Sequence, residues 1–518
     1  MDLVTGNLFN TSSSLLILTI PVSFVTLAIL LNVLKQILFK KKYEPPIVFH
    51  WVPFIGSAVS YGQDPVKFLR QCQAEYGNVF TFVMFGRKIT PYLGTEGNNF
   101  ILNGKQANLN PEEVYNDLTA PCWGSDVVYD APHTKFMEQK RLVKSGLTAK
   151  ALSSYVPLIE KEIYGYIERA SAFQGVAGVV DISNAMAEIV IFTASRCLQG
   201  EEVRESLDST FAKNYHDLDM GFTPINFLFP GLPLPRNRRR DIAHRRMANT
   251  YMRIIQARRA NPDAERSEDM IWNLMNCTYK NGSPMPDKEI AHLMIALLMA
   301  GQASSAVTGS WMLLHLAAEP QMASLLYNEQ LHVLGSVDAP LSLEDVQKLP
   351  LHANVVRETL RLHPPVYSVM RKVKRCIPID GSTMHVPLSN ILLAAIGHTS
   401  RSAEYFDNPD DWNPRRWNTL SYFDDEKKSV RVDYGYGPVS AGATNPYLPF
   451  GGGRHRCIGE QFTYLQLTTI VAIMVRVFEF QNVKGQKGVV GTDYSSMVAR
   501  PRAAKIQWRR RGRFATER

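Results

Sequence analysis

Apolar residues run uncharged from Ser14 to Leu34, close to the ~20 residues that span a bilayer. No positive n-region precedes the run and no small-residue cleavage site stands out, so it reads as a retained anchor. Lys35, Lys40, Lys41 and Lys42 follow it and place the bulk of the chain on the cytosolic side, with residues 1–13 in the lumen. Asn10-Thr11-Ser12 fits a glycosylation sequon but lies too near the span for use. Residues 35–56 form a basic, Pro-rich linker, stiffened from Glu44-Pro45-Pro46 through Pro53 and Gly56. The rest, 57–518, reads as one large catalytic domain.

Within that domain, Val79–Phe85 and Lys88–Leu93 predict paired short strands around Gly86-Arg87. Helical, aromatic patterning begins at Pro111. His216 to Phe227 predicts a helix end broken by Gly221 and Pro224. The apolar loop that follows, Phe229-Pro230-Gly231-Leu232-Pro233, is suited to dip into a membrane. Arg236–Arg246 predicts a solvated basic helix face. The longest predicted helix is Asp287–His315, with Asp287 as N-cap after Pro286; about 29 residues at ~1.5 Å each cross a whole domain. Its centre, Ala300-Gly301-Gln302-Ala303-Ser304-Ser305, is built of small residues that permit close approach of a flat ligand.

Composition narrows the class. The 518 residues are 45% hydrophobic and 20% charged, ordinary for a globular protein. A net charge of +9 suits a membrane surface or an acidic electron-transfer partner; no nucleic-acid-binding motif accompanies it. The six cysteines (Cys72, Cys122, Cys197, Cys277, Cys376, Cys457) form no CxxC pair or disulfide framework.

The candidate chemistry centres on Pro449-Phe450-Gly451-Gly452-Gly453-Arg454-His455-Arg456-Cys457-Ile458-Gly459. Glycines allow positive φ, so that backbone N–H groups curl round one sulfur and, with nearby cations, keep it ionised. Such a thiolate is what an axial haem ligand requires. Phe450, Gly453, His455, Cys457 and Gly459 fill the haem-thiolate pattern, and the chain resembles the cytochrome P-450 monooxygenases. Glu358-Thr359-Leu360-Arg361 places a carboxylate and a guanidinium on one helix face. Arg416, in Pro414-Arg415-Arg416-Trp417, is positioned to complete a buried triad.

Further stretches resemble a narrower family, the fungal sterol 14α-demethylases: Tyr115, Tyr129 and Lys140 within Glu112–Gly146, the His216–Phe227 stretch, Pro364 to Val373, Ser496-Met497-Val498, and an insert over Val432–Tyr447. The resemblance implies the cytochrome P-450 haem-thiolate fold, mainly α with small β-sheets, behind one transmembrane helix, in the endoplasmic reticulum membrane with the catalytic domain cytosolic. It implies haem b, O2 as co-substrate, and NADPH through a partner reductase, NADPH-cytochrome P-450 reductase, docked near Arg454 and Arg456; cytochrome b5 is a candidate second donor. The implied reaction removes the 14α-methyl of lanosterol or eburicol as formate in ergosterol biosynthesis. Partners are membrane lipid, the sterol and azole inhibitors.

By the same resemblance Cys457 is the metal ligand, and Tyr115, Tyr129, Lys140, Arg371 and His455 hold the haem propionates. Ser304 delivers protons, and Trp123, Phe222, Ala303, Tyr367, Ser368 and Met497 line the pocket. Three positions depart from the family. Cys122-Trp123-Gly124 is bulkier than usual; Ala303-Ser304 replaces His-Thr, so position 303 cannot relay a proton or pair with Asp217 or Asp219; Tyr367 replaces a common His. Two alternatives therefore stay open: a paralogue oxidising another triterpenoid, and a low-turnover sterol- or azole-binding haem protein involved in azole tolerance.

Overall fold

The computed structural model describes residues 6–207, 209–261, 268–418, 431–433, 438–440 and 442–512. The N-terminal apolar run lies in helix α1 (Gly6–Leu38), longer at both ends than the predicted span. Its last turns are held by side chains: Asn32 Nδ2 donates to the carbonyls of His50 (2.9 Å) and Trp51 (3.1 Å), and Gln36 both donates to and accepts from the His50 backbone. Exposed Phe24, Leu30 and Leu38, with Phe49, Trp51 and Phe54 of the linker, give this end an apolar surface that suits a membrane anchor. The linker is not a free spacer. Val48 N–H donates to the Thr81 carbonyl and Thr81 N–H to that of Pro46, both at 2.8 Å.

A five-stranded sheet follows from β1 (Phe82–Met84), β2 (Arg87–Pro91), β3 (Leu109–Asn110), β5 (Val369–Val373) and β6 (Ile391–Ala394), in the order β1-β2-β6-β5-β3. The β1–β2 register pairs Met84 with Arg87, so the hairpin turn is Phe85-Gly86, one residue before the predicted position. Both turn residues have positive φ, 47° and 73°, as a two-residue hairpin turn with the sheet's twist requires. Phenylalanine is strained there. Its ring packs on Phe54 and Phe229 at 6.0 and 5.8 Å, and that burial offsets the strain. A second sheet joins β4 (Ala177–Asp181), β7 (Phe478–Asn482) and β10 (Lys505–Arg510) in the order β7-β10-β4.

The helices that position the site are α2 (Glu112–Trp123), α3 (His133–Ser145), α4 (Ser209–Asp219), α5 (Pro224–Leu228), α6 (Pro235–Ala260), α7 (Asp287–Ala318), α8 (Pro350–Leu362) and α9 (Glu460–Val477). Pro224 does not simply break a helix; it opens α5 at the first turn, where its missing N–H costs nothing. On α6, Arg238, Arg239, Arg245 and Arg246 are solvated as expected, but Arg240 is buried. A Cβ on Gly221 would meet its Cδ at 2.6 Å, so the absence of a side chain at 221 makes room for its aliphatic stem.

Helix α7 is three residues longer than predicted, and Asp287 is its first helical residue; Pro286 occupies the cap position without a side-chain bond. It is long and apolar enough to cross a membrane by composition, yet 72% of its most apolar window is buried inside the protein. It is a core helix. Trp311, Met312, Leu313 and Leu314 are fully buried on it and pack with α8 and α9 in the largest apolar cluster.

Parts of two predicted stretches lie outside the described residues. In Val432–Tyr447 these are 434–437 and 441; the flanking strands Arg431–Asp433 and Pro438–Ser440 pair antiparallel. In the stretch 1–13 these are 1–5.

Candidate active site

The Cys457 loop takes its shape from two glycines. Gly451 and Gly453 have φ of 70° and 61°, and a Cβ on Gly453 would lie 2.4 Å from the Leu102 carbonyl oxygen. Cys457 N–H donates to the Phe450 carbonyl at 2.9 Å, closing the turn. The Cys457 side chain is exposed although protein surrounds it. Burial raises its thiol pKa, against which a hydrogen bond from the Gly459 backbone and the charges of Lys140 and Arg456 favour the thiolate. Arg456 is itself paired with Glu460 at 2.9 Å, so it supplies less outward positive charge than its sequence position suggested.

A stripe of small residues on α7 is the second component. Every residue from Glu289 to Ala317 is buried except Leu297, Ala300, Gly301, Ala303 and Ser304, a spacing of three and four that defines one face. No heavy atom lies within 4 Å of where a Gly301 Cβ would sit. Ser304 Oγ donates to the Ala300 carbonyl at 2.8 Å, which leaves its oxygen as an acceptor on that face. The acids named as partners for position 303 are engaged elsewhere: Asp219 lies 3.5 Å from Arg500, and Asp217 lies 3.9 Å from Arg239.

The five residues assigned to the propionates converge. Tyr115 and Tyr129 stack at 5.4 Å, and Tyr129, Phe136 and His133 surround the His455 ring at 5.7–6.3 Å. Both His455 nitrogens are buried without a protein partner, and burial followed by the Arg371 and Lys140 charges holds its pKa well below the usual value. Burial likewise raises Tyr129 to about 12 and lowers Lys140 to about 7, the latter partly countered by Cys457. Lys140 reaches the Cys loop by a route the sequence does not reveal. Its Nζ donates to the carbonyls of Arg454 and Arg456, both at 2.7 Å. Arg371, on β5, donates to the Met370 carbonyl, while Tyr115 Oη accepts from Met370 N–H at 2.8 Å.

Most of the residues assigned to the pocket gather on one apolar fringe. Tyr115, Phe222, Tyr367 and Met497 border the cluster built on Phe82, Phe227 and Met370. Trp123 packs on Phe222 at 5.5 Å and Tyr129 at 6.3 Å. Met497 sits in the turn between β8 (Thr492–Asp493) and β9 (Arg500–Pro501). Ser368 Oγ meets Tyr61 Oη at 3.2 Å, a partner 307 residues away that no motif signals. Glu112 and His133, hydrogen-bonded at 2.9 Å beside His455, are a second pair that sequence reasoning missed.

Glu358, Arg361 and Arg416 form the expected triad. Arg361 donates to both Glu358 oxygens at 2.8 and 3.0 Å, and Arg416 Nε to Oε1 at 2.9 Å. Trp417 Nε1 (3.0 Å) and Asn413 N–H (2.9 Å) complete the carboxylate's bonding. Arg361 also donates to the carbonyls of Ser400, Pro409 and Asp411, so the triad fastens α8 to the segment running toward the Cys loop.

An accessible sulfur among cations, an imidazole with both nitrogens unsatisfied and a helix stripe with open space at Gly301 fit a flat, anionic, iron-containing group such as haem. They define the site of a haem-thiolate monooxygenase. The family model for cytochrome P450 matches residues 45–508, and the chain belongs to that family. Within it, the chain is 56% identical over 487 residues to a sterol 14-alpha demethylase of Aspergillus flavus, covering 93% of this chain and 94% of that protein. It is 53% identical to the eburicol 14-alpha-demethylase of Uncinula necator, covering 98% of each. A sterol 14-alpha demethylase of Aspergillus fumigatus is 53% identical, covering 94% of this chain and 96% of that protein. Retinoic acid-bound cyanobacterial CYP120A1 shares the fold, with a TM-score of 0.73 at 19% identity, covering 90% of this chain and 100% of that one.

Proposed function

We propose that the chain is a sterol 14α-demethylase that removes the 14α-methyl of lanosterol or eburicol through three successive oxidations, each using O2 and NADPH-derived electrons. The methyl passes through alcohol and aldehyde and leaves as formate, with a new 14,15 double bond. What carries this reading is the 53–56% identity over 93–98% of the chain to fungal enzymes of that name. Bound haem supplies dioxygen activation. Cys457 ligates its iron; Tyr115, Tyr129, Lys140, Arg371 and His455 hold its propionates.

The chain's own residues then act by position. The face of Ala300, Gly301 and Ala303 admits the sterol's 14α side close to the reacting centre. Ser304 Oγ, its proton committed to the Ala300 carbonyl, accepts a hydrogen bond from a water and orients it as proton donor. With Ala303 unable to relay, that water must be replenished through the pocket. Trp123, Phe222, Tyr367, Ser368 and Met497 exclude bulk water and shape the sterol's bed. The protein is anchored by α1 in the endoplasmic reticulum membrane, and receives electrons from NADPH-cytochrome P-450 reductase, with cytochrome b5 as a second donor; azoles occupy the sterol's site.

A titration of the purified haem protein with lanosterol or eburicol tests the binding half of this reading. A saturable substrate-type spectral shift is expected. A protein that retains haem and gives no shift with either sterol contradicts it.

A further inference from the structure

The bulky segment Cys122-Trp123-Gly124-Ser125 is held at its last residue by a histidine that no motif marks. On α7, His292 Nδ1 donates to the Ser125 carbonyl at 2.9 Å. Its ring lies flat against Gly124, where a Cβ would sit 2.4 Å from both Cγ and Nδ1. On α6, the His244 ring lies 5.1 Å from the His292 ring. Gly124 has φ of 107°, a conformation in which a side-chain-bearing residue is strained, so the contact between ring and backbone is built into this glycine. Cys122 Sγ donates to the Leu218 carbonyl at 3.8 Å. Cys122 is fully buried, and Trp123 rests on Phe222 and Tyr129.

Trp123 is the last residue of α2, and the bare backbone of the turn after it has little rigidity of its own. Here the Ser125 carbonyl is fixed to α7 by His292 and Gly124 rests on the same ring, so the indole of Trp123 is followed directly by a fixed backbone. We propose that His292 is a positioning residue: by fixing the Gly124–Ser125 backbone it sets the place of the indole wall, and through it the affinity for sterol. The inference rests on the reading of Trp123 as a pocket wall.

The test compares donor and ring. In His292→Asn the amide nitrogen stands close to where Nδ1 was and keeps the donor; in His292→Phe the ring remains and the donor is lost, leaving the Ser125 carbonyl unsatisfied. Sterol dissociation constants, KM and kcat are measured for each holoenzyme, with haem content from the carbon-monoxide difference spectrum and hydrogen exchange of peptides covering Cys122–Ser125. His292→Phe is expected to weaken sterol binding and raise KM roughly ten-fold, the scale of one unsatisfied buried carbonyl. It should leave kcat within two-fold and speed exchange in that segment; His292→Asn should stay within about two-fold of the parent throughout. Gly124→Ala, which forces the backbone off an intact His292, should reproduce the affinity loss if His292→Phe does not retain haem. Unchanged sterol affinity in both His292→Phe and Gly124→Ala would overturn the proposal, as would equal losses in the Phe and Asn variants. A parent protein that binds no sterol counts instead against the demethylase reading.

Discussion

Replacing Glu358 by Ala removes one carboxylate and leaves two guanidiniums facing each other. Arg361 and Glu358 are fully buried and Arg416 is 8% exposed. The carboxylate accepts five hydrogen bonds: two from Arg361 and one each from Arg416, Trp417 and the Asn413 backbone. Breaking a buried pair from one side costs about 3–5 kcal/mol because the orphaned charge stays behind; here two remain, so the upper end applies. Set against a typical total of about 5–15 kcal/mol, that is a large fraction of the stability. Arg416→Ala should cost less, since Arg361 and Glu358 stay neutralised as a pair. Breaking the exposed Lys348–Glu344 pair should leave the midpoint essentially where it is, because both charges are solvated. Urea unfolding followed by the thiolate-haem absorbance and by tryptophan fluorescence reads all three. The expected order is Glu358→Ala, then Arg416→Ala, then Glu344→Ala. A Glu358→Ala protein that keeps its haem and unfolds at the parental midpoint refutes the reasoning.

Two further outcomes follow from particular side chains. Ala303→His restores a titratable group on the exposed face of α7, and should raise turnover while leaving sterol affinity unchanged; an unchanged rate would show that proton delivery does not limit this enzyme. His315 shares a 2.9 Å hydrogen bond with His363 and stacks on Trp412 at 4.7 Å. Burial lowers His315 to about 3 and His363 well below its usual range. Each binds fewer protons folded than unfolded. Their stabilising contribution is therefore complete above the unfolded value near ~6.5 and is lost as pH falls from there toward the folded value. Thermal melts between neutral pH and pH ~4.5 should show a steep loss in the parent and a shallower one in His315→Phe; parallel slopes would contradict the assignment.

The features legible in the sequence are those whose chemistry is local. The Cys457 loop and the Glu358–Arg361 pair each lie within a few residues of chain, and their geometry follows from positive-φ glycines and from the i, i+3 spacing of a helix. The stripe on α7 was visible only as a run of small residues. Because the helix is buried on nearly every side, hydrophobic periodicity carried no information about its one open face. What stayed hidden was mostly long-range: Lys140 on the Arg454 and Arg456 carbonyls, Tyr61 on Ser368, and His292 on Ser125. The displaced turn at Phe85-Gly86 and the inward Arg240 had the same cause. In each, tertiary packing of an aromatic ring or an aliphatic stem outweighed the local preference that sequence patterning reads.

The central claim is chemical, and product analysis tests it most directly. Purified full-length chain, a cytochrome P-450 reductase, NADPH and either lanosterol or eburicol are incubated after haem is confirmed by the reduced carbon-monoxide spectrum. Accumulation of the 14-demethylated Δ14 diene sterol with an equivalent of formate is the predicted result, Ala303 notwithstanding. Normal haem and normal sterol binding with NADPH consumed but no demethylated sterol from either substrate would contradict it.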